Sequence, residues 1–314
     1  MSLPYSTSMN LLFFYMTWAT LVLSHPPLQV EIVGTAVVRL LFYLFPSMIF
    51  LLFDVLLPSA AVAIKAQGEV GLPTGSKRGR PGLREAMVVT WALLNLVLSI
   101  LLQGMIEYVL TKGLGMRSAL KVSLKLPYPW DMAKDLLGGF ISREILTYFI
   151  HRYTLHTSGS SVARYHWSWY HSLNAPYPLT AHYDHPIAYL LLKFLPTYGP
   201  AALFRYHMLT YIIYLSLISL EETFAYSGYK ALPTSVLIGG IARRADMHLL
   251  SGGDGNYGTW GIMDWVFGTS VGDSVEDDLQ DVLDEEEVEK IRKVLESKTK
   301  AKGVKRRTKR RVNS

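Results

Sequence analysis

HRYTLHTSGSSVARYHWSWYHSLNAPYPLTAHYDHP, residues His151 to Pro186, holds six of the chain's nine histidines: His151, His156, His166, His171, His182 and His185. A seventh, His248, lies in the only other long polar stretch before the C-terminal tail. The sequence flanking the first stretch is mostly apolar. Neutral imidazole is the commonest protein ligand for iron and zinc, so histidines gathered between apolar segments point to a metal site held at a membrane surface. Their spacing sets a condition. His151 and His156 are five apart, as are His166 and His171. On a regular helix such pairs differ by about 140° in direction, so both members cannot face one ion. Either the helix ends between them or a π-bulge brings them round. The plainer alternatives are a polar cap at a span end for the first pair and an aromatic interfacial belt for the second.

Working outward, the composition supports a membrane setting. Half of the 314 residues are hydrophobic and the mean hydropathy is positive, a balance expected of membrane spans rather than of an ordinary soluble globule. There is no cysteine, which excludes disulfides, iron–sulfur clusters, thiolate-ligated haem and cysteine nucleophiles. The net charge of +6 lies mostly in the last 25 residues and describes a tail, so it argues for no nucleic-acid partner.

Hydropathy divides the chain into six apolar segments: 9–24, 32–57 with Pro46 as a kink, 86–110, 132–150, 187–204 and 208–222. The fourth contains Asp135, Arg143 and Glu144, which are costly inside a span and are expected to face other helices or the site. Asp54, near the end of the second, reads as an interfacial residue. The Gly-, Pro- and base-rich stretch 58–85 reads as a flexible cytosolic loop. Alternation then places the seven clustered histidines and the C-terminus on the cytosolic side. Four basic residues in 111–131 run against that topology unless the segment lies on the membrane surface as an amphipathic element. Residues 273–289 carry ten acidic groups and 290–311 twelve basic ones, consistent with an amphipathic helix and a basic tail. GDGNYG, Gly253 to Gly258, satisfies G-x-G-x-x-G but lacks the preceding strand and following helix of a dinucleotide site. A tight glycine loop positioning Trp260 and Asp264 is expected there.

The same residues carry a resemblance. HRYTLH after a span, YHWSWYHSLNAP, AHYDHP, AYSGY, ADMHLL and NYGTWGIMDWVFGT stand in the order of the motifs of the fatty acid hydroxylase and sterol desaturase superfamily, which are membrane non-haem di-iron oxygenases. The similarity runs from about residue 132 to 270. It implies an all-α, polytopic membrane protein with a cytosolic histidine-rich helical cap. The chain then divides into N-terminal spans (1–131), a hydroxylase/desaturase-like region (132–272) and a charged C-terminal helix and tail (273–314). By resemblance the metal ligands are His151, His156, His166, His171, His185 and His248, with His182, Asp184 and Asp246 as additional candidates. The cofactor is iron, either a di-iron pair or a single ion.

By the same resemblance, dioxygen is used to hydroxylate or desaturate a lipid-like substrate such as a fatty acyl chain or sterol. The setting is the endoplasmic reticulum, with electrons from a cytochrome b5-type or NAD(P)H-dependent reductase. Arg152, Arg243 and Arg244 are candidates for meeting that donor. The chain also departs from the family pattern. Tyr170, Tyr226, Ala245 and Leu249 stand at positions where the family's motifs have histidine. The alternative reading is therefore a scaffold that binds a lipid or metal without turnover; a different metal-dependent reaction is the third.

Overall fold

The computed structural model describes residues 5–74, 82–173, 175–230, 237–273 and 275–277. The described residues are helical, with no β-strand and only two isolated bridges, Lys65 with Tyr229 and Lys121 with His207. In chain order the helices are α1 (Tyr5–Ser24), α2 (Pro27–Leu56), α3 (Pro58–Ile64) and α4 (Leu83–Gly113). Then come α5 (Pro129–Ile150), α6 (Ser161–Trp169), α7 (residues 186–203) and α8 (Met208–Ala225). The last two are α9 (Leu237–Leu250) and the short α10 (Ile262–Val266).

Three of these helices, α2, α4 and α8, are long and apolar enough to cross a membrane. At 1.5 Å per residue, α2 and α4 reach about 45 Å, beyond a hydrocarbon core of about 30 Å. Their ends therefore stand clear of the lipid. α5 is too charged to pass a hydropathy scan, yet its polar groups are turned inward. Arg143, Glu144 and Thr147 are buried, while Leu137, Ile141, Ile145 and Phe149 form an exposed apolar stripe at four-residue spacing. That arrangement is what lipid on one side and protein on the other demands.

Two proline positions shape the helices. In α2 the turn Leu40–Leu44 is π-helical, and the Phe45 N–H reaches the Leu40 carbonyl immediately before Pro46. In α7 the turn Leu190–Phe194 does the same before Pro196. A proline ring crowds the carbonyl four residues back and offers no N–H to it. One extra residue per turn relieves both, so Pro46 marks a π turn inside a continuous helix.

The packing sets directions. α2, α5 and α8 run parallel, with Arg39 meeting Ser219 and Glu222, and Arg143 meeting Glu221. α4 runs against them, with Gln103 bonded to Glu31 and Thr35. The helices approach closely where Gly104 lies against Ile32: a Cβ there would sit 2.7 Å from Ile32 Cδ1. Between the helices the core is rich in tyrosine, with Tyr198, Tyr206, Tyr211 and Tyr214 packed around Leu120, Met208 and Leu215. The C-termini of α2, α5 and α8 thus share one end with the N-termini of α4 and α7. His151 follows α5 and His185 precedes α7, so chain direction alone brings the histidine stretch to that end.

Two expectations are corrected. Residues 58–74 are built into the fold and are not a flexible loop. Lys65 is fully buried, its ammonium 2.8 Å from Asp54 Oδ2 and bonded to the Ser227 carbonyl. Asp54 is accordingly a buried ion-pair partner and not an interfacial group, and it also accepts from the Tyr229 hydroxyl at 2.5 Å. The segment 114–128 forms no helix. It is irregular chain tied across the far end of the bundle, with Lys121 N–H on the Tyr206 carbonyl and Met208 N–H on the Lys121 carbonyl. Residues 75–81 of the basic loop and 278–314 of the charged tail lie outside the described residues.

Candidate metal centre

Five imidazoles meet at the shared end of the bundle. The rings of His151, His156, His166, His171 and His248 lie 4.6 to 5.4 Å apart in eight pairings. In four of them, His151, His156, His166 and His248, one ligand nitrogen per ring falls within 4.8 Å of all the others. Both solutions to the five-residue spacing are used, one for each pair. His151–Leu155 is a π turn closed by His156 N–H on the His151 carbonyl, so both rings emerge on one side. α6 ends at Trp169 and a 3-10 turn, Tyr170–Ser172, swings His171 back towards His166.

The hydrogen bonds around the cluster fix which nitrogen faces inward. His151 Nδ1 is 2.9 Å from the Tyr257 carbonyl, His248 Nδ1 is 2.7 Å from the Gly255 carbonyl, and His166 Nδ1 is 2.6 Å from Asp184 Oδ2. All three partners are acceptors only, so Nδ1 carries the proton and Nε2 keeps its lone pair. Each of those Nε2 atoms is buried without a hydrogen-bond partner among the described residues. His156 and His171 face each other Nε2 to Nε2 at 3.2 Å. Burial, and then neighbouring histidines, holds His156 and His171 down to about 2 and puts His151 well below its ordinary value. Burial holds His248 down to about 4. The rings of His151, His156, His171 and His248 are therefore neutral across the physiological range. Outward N–H groups on carbonyls and a carboxylate, with lone pairs converging inward, are how proteins prepare histidines to bind a metal.

The glycine loop supplies two of those carbonyls. Gly253, at φ +87°, passes so close that a Cβ would lie 2.6 Å from His156 Cε1 and 3.0 Å from His171 Cε1. Asp264 pins the loop by accepting from Tyr257 N–H and Gly258 N–H at 2.8 and 2.6 Å. Glu144 accepts from Trp260 N–H at 2.8 Å. The loop thus positions Trp260 and Asp264 as the sequence suggests, and it also fixes the tautomers of His151 and His248. Glu144 is one of the charged residues of the fourth apolar segment that the sequence expects to face other helices or the site. Nothing in the sequence singles out Asn95, deep in α4, whose amide donates to the carbonyls of His182 and Asp184.

The remaining candidates sit elsewhere. His185 caps the start of α7, its Nδ1 accepting from Ile187 N–H, with its ring stacked on Tyr165 at 4.1 Å. His182 is buried among Tyr43, Tyr189 and Glu222, with Nε2 3.2 Å from Glu222 Oε2, and burial lowers it to about 4. Asp184 reaches the cluster only through His166. Asp246 is buried beside Gln67 and Lys65, where desolvation raises it to about 6. Of the arginines, Arg243 is on the surface near Asp273 and Arg152 lies at the end of α5, whereas Arg244 is buried.

An open-mouthed cavity of about 60 Å³ adjoins the cluster at His151 and His248. Its far wall is polar: the Arg143–Glu221 ion pair, Glu222, Lys193 and Tyr226. Tyr170, Tyr226 and Ala245 all line it, three of the four positions that depart from the resembled histidine pattern.

Motif order and convergent imidazoles agree with the comparison to known families. The family model described as fatty acid hydroxylase matches residues 136–269. Residues 136–269 are similar to a fatty acid hydroxylase domain. This is consistent with the fatty acid hydroxylase and sterol desaturase superfamily. The matched region begins within α5 and ends after α10, so it holds every imidazole of the cluster and both carbonyls that orient them. No solved structure matches the chain.

Proposed function

We propose that this protein is a membrane-bound, iron-dependent oxidoreductase that uses dioxygen to hydroxylate or desaturate a lipid-like substrate. One observation carries the reading: buried, neutral imidazoles present unpartnered Nε2 atoms to a common point, at the end of helices long enough to cross a bilayer. His151, His156, His166, His171 and His248 would hold the metal. Iron bound there would supply activation of dioxygen, which no side chain can. The chain's own groups orient the ligands, keep them unprotonated and bury them away from bulk water.

The rest of the reading follows from the similarity to a hydroxylase domain and the bilayer setting: an endoplasmic reticulum membrane, with the histidine end in the cytosol. Electrons come from a cytochrome b5-type or NAD(P)H-dependent reductase. Iron analysis of detergent-purified protein tests the metal, beside His171→Ala and His185→Ala. The first variant is expected to lose iron and the second to keep it. Lipid profiling of the expressing host tests the reaction: a lipid that gains an oxygen or loses two hydrogens with the wild type, and not with His166→Ala, is expected. Wild type holding no more iron than His171→Ala would overturn the reading.

A further inference from the structure

The donor set of His151, His156, His166 and His248 fits one metal ion and does not fit two. Metal–imidazole bonds are about 2.1 Å long, so donors on opposite sides of one ion are about 4.2 Å apart. The four clustered nitrogens span at most 4.8 Å, close to that limit. The fifth, His171 Nε2, is 3.2 Å from that of His156 and falls outside that set of four. Two ions in one site stand about 3.5–4 Å apart, so their outermost donors spread over about 8 Å. The four clustered donors do not spread that far.

What lies beyond the cluster is unsuited to a second cation. On the cavity side the carboxylates are matched by arginines. Glu221 binds Arg143 at 2.9 Å and Glu222 binds Arg39 at 2.6 Å, all but shut off from solvent. Asp184 Oδ2 already accepts from His166 Nδ1 at 2.6 Å. Lys193 adds a fixed positive charge, its ammonium donating to the Tyr226 hydroxyl at 3.0 Å. Tyr170, stacked on His166 at 5.2 Å, lines the same cavity as Tyr226 and Lys193. A cation entering this cavity meets the Lys193 ammonium and a Tyr226 oxygen that it already engages.

We infer that the centre holds a single metal ion, and that the Lys193–Tyr226 pair, with Tyr170 beside it in the cavity wall, occupies the ground where a second ion would need its ligands. The cavity then accepts a neutral or anionic oxygen ligand beside the ion. This inference rests on the proposed metal centre, and its test separates the two failures.

Cobalt(II) and iron(II) are titrated into the metal-stripped full chain in detergent, with metal per chain read by mass spectrometry and ligand-field absorption. Azide then serves as an anionic probe of the cobalt form. One ion per chain is expected, with azide affinity falling several-fold in Lys193→Met while the metal count stays at one. Two ions per chain in the wild type would overturn the inference and leave the metal centre standing. No ion would overturn the metal centre and the inference with it. Unchanged azide affinity in Lys193→Met would overturn the assignment of the cavity to an anionic ligand. A second variant combines Lys193→Met with Tyr170→His, Tyr226→His and Ala245→His, and is expected to move the count above one.

Discussion

Replacing Asp184 with asparagine removes one oxygen's charge and reverses one hydrogen-bonding edge, at a residue that does not itself face the cluster. Asp184 Oδ2 accepts from His166 Nδ1–H at 2.6 Å and Oδ1 accepts from the His185 backbone N–H at 2.7 Å. Asparagine has one acceptor and one donor. With its oxygen kept on His185, the amide NH2 faces His166 Nδ1 and forces the proton onto Nε2, where the metal should bind. With its oxygen on His166, two donors oppose each other at His185 N–H in a buried setting, which costs about 1–3 kcal/mol. Partners that orient metal-bound histidines are worth 10- to 100-fold in affinity, or about 1.4–2.7 kcal/mol. Asp184→Asn is therefore expected to weaken cobalt(II) binding within that range, measured by equilibrium dialysis of the stripped protein. Asp246→Asn, buried but away from the cluster, serves as the control. Wild-type affinity in Asp184→Asn would refute the claim that His166 binds metal through Nε2.

Gly253→Ala should lower both metal affinity and melting temperature. It costs about 1–2 kcal/mol for a left-handed backbone and also pushes on His156 and His171; unchanged cobalt binding would contradict the close approach. For the metal-stripped protein, stability should fall as pH drops below about 6.5. The unfolded chain takes up protons there, whereas burial keeps His248 neutral to about 4 and His156 and His171 to about 2. At pH 5 one such histidine costs about 2 kcal/mol, and a melting temperature flat between pH 7 and 5 would rule this out. Asp54→Asn and Lys65→Met should each destabilise by about 3–5 kcal/mol, because each leaves a buried partner without its counter-charge. Chemical denaturation of the double variant should show a smaller loss than the sum.

The sequence by itself determined the class and the neighbourhood of the site. Apolar runs long enough to span a bilayer, a cysteine-free histidine stretch and motifs in family order are all local, and local patterns survive without coordinates. It also posed the right question about the five-residue spacings. Their answer needed neighbours: a π turn at His151 and a helix end before His171 differ by which hydrogen bonds the surrounding chain completes. Tertiary structure alone decided the rest. His185 and His171 look alike in sequence, but the cap of α7 turns one against Tyr165 while a 3-10 turn aims the other at His156. Asp54, Lys65, Arg143 and Glu221 are single charges in one dimension and become buried pairs only when helices pack, because burying a charge forces it to find an opposite one. The unexpected partners of the cluster, the carbonyls of Gly255 and Tyr257, are invisible to any reading of side chains. Every residue carries a carbonyl, and only the path of the loop decides which ones reach a histidine.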